Sequence, residues 1–313
     1  MLNFILRRLV ILLPTLFFVS LLIFGLQQLL PGDPALTMAG EDRDPALIAF
    51  LHQKYHLDEP LPIRYALWAG SVLQGDLGES IRTKDPVAGL ILQKLPVTIE
   101  LAGFSILIAL LIGIPAGIVS AVKKDGILDY LANMIGLAGL SIPHFWLGIM
   151  LILLVSVQLG WLPAGGYVSP REDLWLNLQG MIMPALVLGG GIAAVLMRHT
   201  RSAMLSVLQA DYIRTARAKG LTDRVVILRH GLRNALVPVI TLAAIQLGDL
   251  LSGAVLTEQV FTIPGFGKLI VEAVFSRDYA IVQGVVLCTA AAYMLLNLLA
   301  DVAYALVNPR LRS

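Results

Sequence analysis

Charge is scarce in this chain of 313 residues: Asp, Glu, Lys and Arg make up 14% of it, where soluble domains average about 25%. Apolar residues take its place. They reach 57% and gather in blocks of about 20, the length a helix needs to cross roughly 30 Å of hydrocarbon. The chain is therefore expected to be an all-α, polytopic membrane protein with lipid around it. Cysteine is scarcer still. Cys288 stands alone, which excludes an internal disulfide and a Cys-based zinc cluster; inside an apolar block it reads as a small packing residue. A phosphate-cradling loop, G-x-x-x-x-G-K-[ST], is also missing. The nearest approach, TIPGFGKL at Thr262–Leu269, has Thr262 at the first glycine position and Leu269 at the hydroxyl position. No nucleotide site, and hence no ATPase activity, is expected in this chain. Aromatics are few, 7%, and none interleaves with the bases of the one basic stretch as a stacking platform, which argues against nucleic acid.

Six candidate spans are present: Leu9–Leu30, Val97–Val122, Leu131–Leu159, Met181–Met197, Ala235–Thr257 and Ile281–Leu306. The first follows Arg7 and Arg8 and is too long for a signal-peptide core, with no small-residue cleavage site after it; it reads as a retained helix. The third is long for one crossing, and Pro143 is expected to bend it. Loop charge supplies the orientation. Lys123 and Lys124 follow span two, Arg198, Arg201, Arg214, Arg217, Lys219, Arg224, Arg229 and Arg233 follow span four, and Arg310 and Arg312 close the chain. Residues 31–96 instead carry six bases against nine acids. By the positive-inside rule both termini are cytoplasmic, as is the long basic loop.

That loop, at about 198–234, is longer than a connection requires. Read as helix, Met204–Lys219 places Leu205, Leu208, Tyr212, Thr215 and Lys219 near one stripe, and Gly220 fits a helix stop. Asp223 is placed to start a second helical run through Arg233. From pattern alone the loop is either a docking element for another protein or a basic surface against anionic headgroups.

The stretch DYIRTARAKGL…RHGLRNALVPV closely resembles the cytoplasmic loop of ABC importer permeases, and within them the dipeptide/oligopeptide/nickel family, B-type subunit. Further matching motifs lie along nearly the whole chain: LPGDPA (Leu30–Ala35), LDEPLPIRY (Leu57–Tyr65), GDLGES (Gly75–Ser80), SIPHFWLG (Ser141–Gly148), LGWLPAGGY (Leu159–Tyr167), VFTIPGFG (Val260–Gly267), RDY (Arg277–Tyr279) and NPRLR (Asn308–Arg312). The resemblance implies a type I importer permease fold in the bacterial inner membrane. It implies half of a translocation pathway, shared with a second, C-type permease subunit. It also implies two cytoplasmic ATPase subunits, which hold the ATP and Mg, and an extracytoplasmic solute-binding protein. The segment carried over as ATPase-coupling is Asp211, Tyr212, Arg214, Thr215, Ala216, Arg217, Ala218, Lys219, Gly220 and Leu221, with Ala216 in its small-residue core. Arg214 and Thr215 stand where the general pattern has other residues, and Arg233 where it has proline. Di- or oligopeptides are the implied solutes, with nickel, nickel chelates or glutathione as alternatives.

The domain reading is then residues 1–30 as N-terminus and first helix, 31–96 as a small helical extracytoplasmic domain, and 97–313 as a five-helix core. Within 31–96, DPALIAFLHQKYHLDEP and LPIRYALWAGSVL read as short amphipathic helices, which either meet the binding protein or cap the bundle. His52 and His56 have i, i+4 spacing but no third ligand nearby, and read as surface histidines rather than a metal site. Asp249 lies mid-span, where a carboxylate facing lipid is costly. It either lines the path, favouring a cationic or zwitterionic solute, or makes a structural hydrogen bond. His144 and Gln246 are the other path candidates, and Asp301 reads as structural. A self-contained secondary transporter is the remote alternative, but it usually shows an internal repeat, and none is evident.

Overall fold

The computed structural model describes residues 2–28, 33–39 and 44–307. The end of the first expected span at Leu29–Leu30, the start of the LPGDPA motif and the NPRLR motif lie outside them, as do the side chains of Arg7 and Asp301. Every regular element among the described residues is helical. In chain order these are α1 (Leu2–Gln28), α2 (Pro34–Ala39), α3 (Pro45–Lys54), α4 (Leu61–Leu73), α5 (Val87–Val122), α6 (Ile127–Ser141) and α7 (His144–Leu151), which continues as a π-helix over Ile152–Gln158. Then come α8 (Leu174–Leu208), α9 (Asp211–Ala218), α10 (Asp223–Val225) with a π-helical run over Val226–Gly231, α11 (Leu232–Val260), α12 (Phe266–Phe275) and α13 (Tyr279–Val307).

Among the described residues five single helices meet the length and apolarity of a membrane crossing, and a broken pair, α6 with α7, makes a sixth when its arms are taken as one. That pair is where the expected third span differs. The chain does not merely bend at Pro143: the two arms meet at 101°. Ile142 and Pro143 are both extended, with ψ of 125° and 130°. Proline has no N–H for the ladder and pushes the residue before it out of the α region, so the helix stops and restarts. Spans two and four are longer than their apolar blocks. α5 has 36 residues and α8 has 35, about 54 and 52 Å at 1.5 Å per residue, so both run beyond the hydrocarbon.

The chain divides into two compact units. One comprises Val97–Pro264 and the chain from Leu295 onward. Its core is built around α8, which packs against α6, α7 and α11 and buries Met181, Leu188, Leu196 and Met204. Lipid offers no hydrophobic drive for helix association, so close contact of small residues matters. α5 supplies Gly113 and Gly117, where an added Cβ would stand 2.7 Å from the Ala193 carbonyl oxygen and 2.6 Å from that of Met197. α8 answers with Gly189, whose Cβ would meet the Ser105 carbonyl oxygen at 2.5 Å. The Gly189–Gly191 run thus serves packing at two of its three positions: Gly190 faces open space, and Gly191 lies under the His144 ring.

The other unit comprises Leu2–Pro96 and Gly265–Met294. The two short helices expected within 31–96 are α3 and α4. Asp44 caps α3, accepting from the Ala46 N–H at 2.9 Å. Val87, Ile91, Phe266, Leu269 and Ile281 form this unit's main core. Its polar fixture is Asp278, 1% exposed, which accepts from the Ser80 hydroxyl at 2.6 Å. Gln27 and Gln283 are also hydrogen-bonded. His52 is half-buried between two carboxylates, Nε2 at 3.0 Å from Asp33 and Nδ1 at 2.8 Å from Asp58. Those hydrogen bonds, to Asp33 first, raise its pKa above the usual 6.5. His56 is exposed, with a φ of 53°.

Candidate functional site

The basic loop folds into a compact helical hairpin. α8 ends at Leu208, and Ala210 turns extended (ψ 149°) before α9 begins. The single helix expected over Met204–Lys219 is therefore two, and the stripe drawn across it does not exist. α9 carries Asp211 in its first turn and Arg217 in its last, each matching the helix dipole. It stops at Lys219, and Gly220 takes a φ of +78° with its N–H on the Arg217 carbonyl at 2.9 Å. That left-handed turn favours glycine. The second run does start at Asp223, but it continues without a break through the π-helix into α11.

α9 has a distinct inner face. Ile213 (0% exposed) and Ala216 (7%) pack with Val226 and Val207. Ala216, carried over as part of the contact segment, points into the hairpin and keeps α9 close to it. Asp211, Tyr212, Arg214, Thr215, Arg217, Ala218, Lys219, Gly220 and Leu221 are all exposed. Ion pairs on this face, Arg214–Asp211 at 3.3 Å and Arg217–Asp223 at 3.5 Å, are open to solvent and contribute little to stability. The Tyr212 hydroxyl accepts from Asn234 at 2.9 Å, fastening α9 to α11.

Among the described residues no hydrogen bond joins the path candidates Asp249, His144 and Gln246. Asp249 lies on an exposed stripe of α11, Pro238–Ile245–Asp249–Leu256. The opposite face, Val239–Ala243–Leu250–Ala254, is buried. The Asp249 side chain makes no hydrogen bond or ion pair among the described residues. His144 is exposed at the start of α7, and its Nε2 would stand 2.6 Å from a Cβ on Gly191. Gln246 is half-buried.

Several acids escaped the sequence reading. Glu258, just beyond the expected end of the fifth span, is 0% exposed in the last turn of α11 and accepts from the Thr98 hydroxyl at 2.5 Å. Glu100 lies within the second apolar block and accepts from the Tyr167 hydroxyl at 2.8 Å. Burial, and then the Glu100 carboxylate, push the Tyr167 phenol up to about 12. Asp129 is buried at the start of α6 and paired with Arg201 of α8. The only sequence signal for these was an acid inside or beside an apolar block.

Comparison with known proteins places this geometry. A family model described as "Binding-protein-dependent transport system inner membrane component" matches residues 113–313. A second, "Binding-prot-dependent transport system membrane comp, N-term", matches residues 1–102. The glutathione transport system permease protein GsiC of Pectobacterium atrosepticum is 44% identical over 312 residues, covering 100% of this chain and 99% of the relative. The di/tripeptide transport system permease protein DppB of Pseudomonas aeruginosa is 44% identical over 333 residues, with 100% and 99% covered. The dipeptide transport system permease protein DppB of Alkalihalophilus pseudofirmus is 40% identical over 332 residues, with 100% of each covered. Among solved structures, a chain of the MetNI methionine ABC transporter in an inward-facing conformation superposes with a TM-score of 0.59 at 19% identity, covering 70% of this chain and 96% of that one; it shares the fold.

Proposed function

The chain belongs to the binding-protein-dependent transport system inner membrane components, a multi-pass permease subunit of an ABC importer, and from that premise we propose that it carries di- or oligopeptides and takes its drive through α9. The observation that carries the coupling role is the two-faced α9. Its apolar inner face is already satisfied by the hairpin, while its outer face, charged and ending in a glycine turn, carries the Tyr212–Asn234 hydrogen bond and two solvent-exposed ion pairs and is otherwise open. Such a face is suited to sit in a cleft of a cytoplasmic ATPase, where ATP and Mg are held. Two ATPase subunits, a second permease and an extracytoplasmic binding protein complete the assembly, with both termini on the cytoplasmic side and residues 31–96 outside.

Asp249 supports the solute class. A carboxylate with no partner among the described residues, on an otherwise apolar stripe, is costly against lipid. It is acceptable where the stripe lines an aqueous path, and there it attracts the ammonium group of a peptide. Glutathione is the second reading, favoured by the 44% identity to a glutathione permease; it carries the same ammonium. Affinity capture from native membranes tests the coupling role. Wild type is expected to bring down a sibling permease and two ATPases, and Gly220→Asp to lose the ATPases while keeping the sibling. Retention of the ATPases by Gly220→Asp and by a second variant, Arg217→Glu/Lys219→Glu, would remove α9 from the interface.

A further inference from the structure

A densely bonded polar group lies not on α9 but about two helical turns back along α8. The Asp129 carboxylate, 3% exposed as a residue, receives both ends of the Arg201 fork, Nε and Nη2, at 2.7 Å each. The Ser120 hydroxyl donates to it at 2.5 Å, the Asn133 amide at 2.8 Å and the Asp125 N–H at 3.0 Å. These donors come from separate segments: Ser120 from the last turn of α5, Asp125 from the turn after it, Asn133 from α6 and Arg201 from α8. A carboxylate has about four lone-pair sites, so this one is saturated. Asp125 takes a φ of +60° in the turn that delivers its N–H.

The position of this cluster relates it to α9. Arg201 precedes the end of α8 by two helical turns, about 10 Å. Between it and α9 the packing is continuous. Met204 of α8, 0% exposed, is buried with Ala121 of α5 and Ala235 of α11. Val207, one turn further, packs against Ile213 and Ala216 of α9. Apolar contacts along such a route can slide. A bidentate, buried guanidinium–carboxylate pair resists sliding, because breaking it leaves an uncompensated charge.

We propose that Asp129 and Arg201 form a pin that makes the cytoplasmic ends of α5, α6 and α8 follow α9 as one body. They are positioning residues, acting through helix geometry without touching ATP or solute. The inference rests on the reading of α9 as the coupling element.

The test needs no solute. The importer is purified with its ATPases, Cys288 is replaced by serine, and spin labels are placed at Gln209, where α8 meets α9, and Met134 of α6, both exposed. Their separation is measured by double electron–electron resonance with and without ATP-vanadate trapping. With Asp129 and Arg201 intact the distance should be the same in both states. In Asp129→Asn/Arg201→Gln it should shift or broaden on trapping. The double variant matters because it removes both charges and leaves neither buried alone, so it should melt above Asp129→Asn. A purely structural pair would recover its rigidity along with its stability; a pin would not. The pin is overturned if the distance changes on trapping with Asp129 and Arg201 intact, or if the double variant gives the same distance in both states. Failure of the underlying α9 reading looks different: the ATPases are then captured regardless of changes on α9.

Discussion

Replacing Gly117 with alanine tests the account of how α5 and α8 hold together. The new Cβ would lie 2.6 Å from the Met197 carbonyl oxygen and 2.6 Å from the Thr200 Cβ. Ordinary contact starts near 3.4 Å, so α5 and α8 must part by close to an ångström over this turn. Neither obstacle can swing away: one is backbone and the other is the first atom of a β-branched side chain. Overpacking of this kind costs about 1–3 kcal/mol, while Gly→Ala in a helix interior returns about 1 kcal/mol through propensity. A same-helix control removes that second effect. Gly103, also in α5, has nothing within 4 Å of its would-be Cβ, so Gly103→Ala gains the propensity without the clash. The difference between the two variants then isolates the packing cost. At about 2–4 °C per kcal/mol for chains of 150–250 residues, a cost of about 1–3 kcal/mol means Gly117→Ala should melt roughly 2–12 °C below Gly103→Ala in the same detergent. Equal melting temperatures would refute the claim that close backbone approach joins these helices.

Two further outcomes are expected. Asp249→Asn should leave expression, ATPase capture and melting temperature unchanged, since Asp249 has no partner among the described residues, but should weaken uptake of a zwitterionic dipeptide by roughly tenfold, the size of one lost charge contact; unchanged uptake would take Asp249 off the path. His52, raised above 6.5 by Asp33 and Asp58, should stabilise the protein fully below about pH 6.5, its unfolded value, and progressively less as pH rises through the higher folded value. The melting-temperature gap between wild type and His52→Gln should therefore be largest near pH 5 and shrink by about pH 8; a gap that grows with pH contradicts the bridge.

Much of this architecture was legible from hydropathy and punctuation. Apolar blocks marked where the long helices cross, Gly220 marked the turn after α9, and Asp44 and Pro45 marked the start of α3. What hydropathy could not supply was partnership. It ended span five at Thr257 because Glu258 is acidic, yet the helix continues and buries Glu258 against Thr98, 160 residues away. It counted Arg201 as a free cytoplasmic positive charge, whereas Arg201 is committed to Asp129 across 72 residues. Pro143 announced a bend, but its 101° size depends on two consecutive extended residues, and only Pro143 was visible in the pattern. Ala216 was singled out, through resemblance, as part of a small-residue core in the coupling segment. The structure shows that it allows approach to the hairpin itself.

The central claim is ATP-driven import of a peptide through this subunit. Its most direct test is uptake into proteoliposomes holding the purified importer, with its binding protein outside and ATP inside, comparing a radiolabelled dipeptide with radiolabelled glutathione. The account predicts dipeptide accumulation that requires both ATP and binding protein and is abolished by Gly220→Asp. Accumulation of glutathione alone would assign the second reading of the solute. Uptake that persists without ATP or binding protein would contradict the importer mechanism itself.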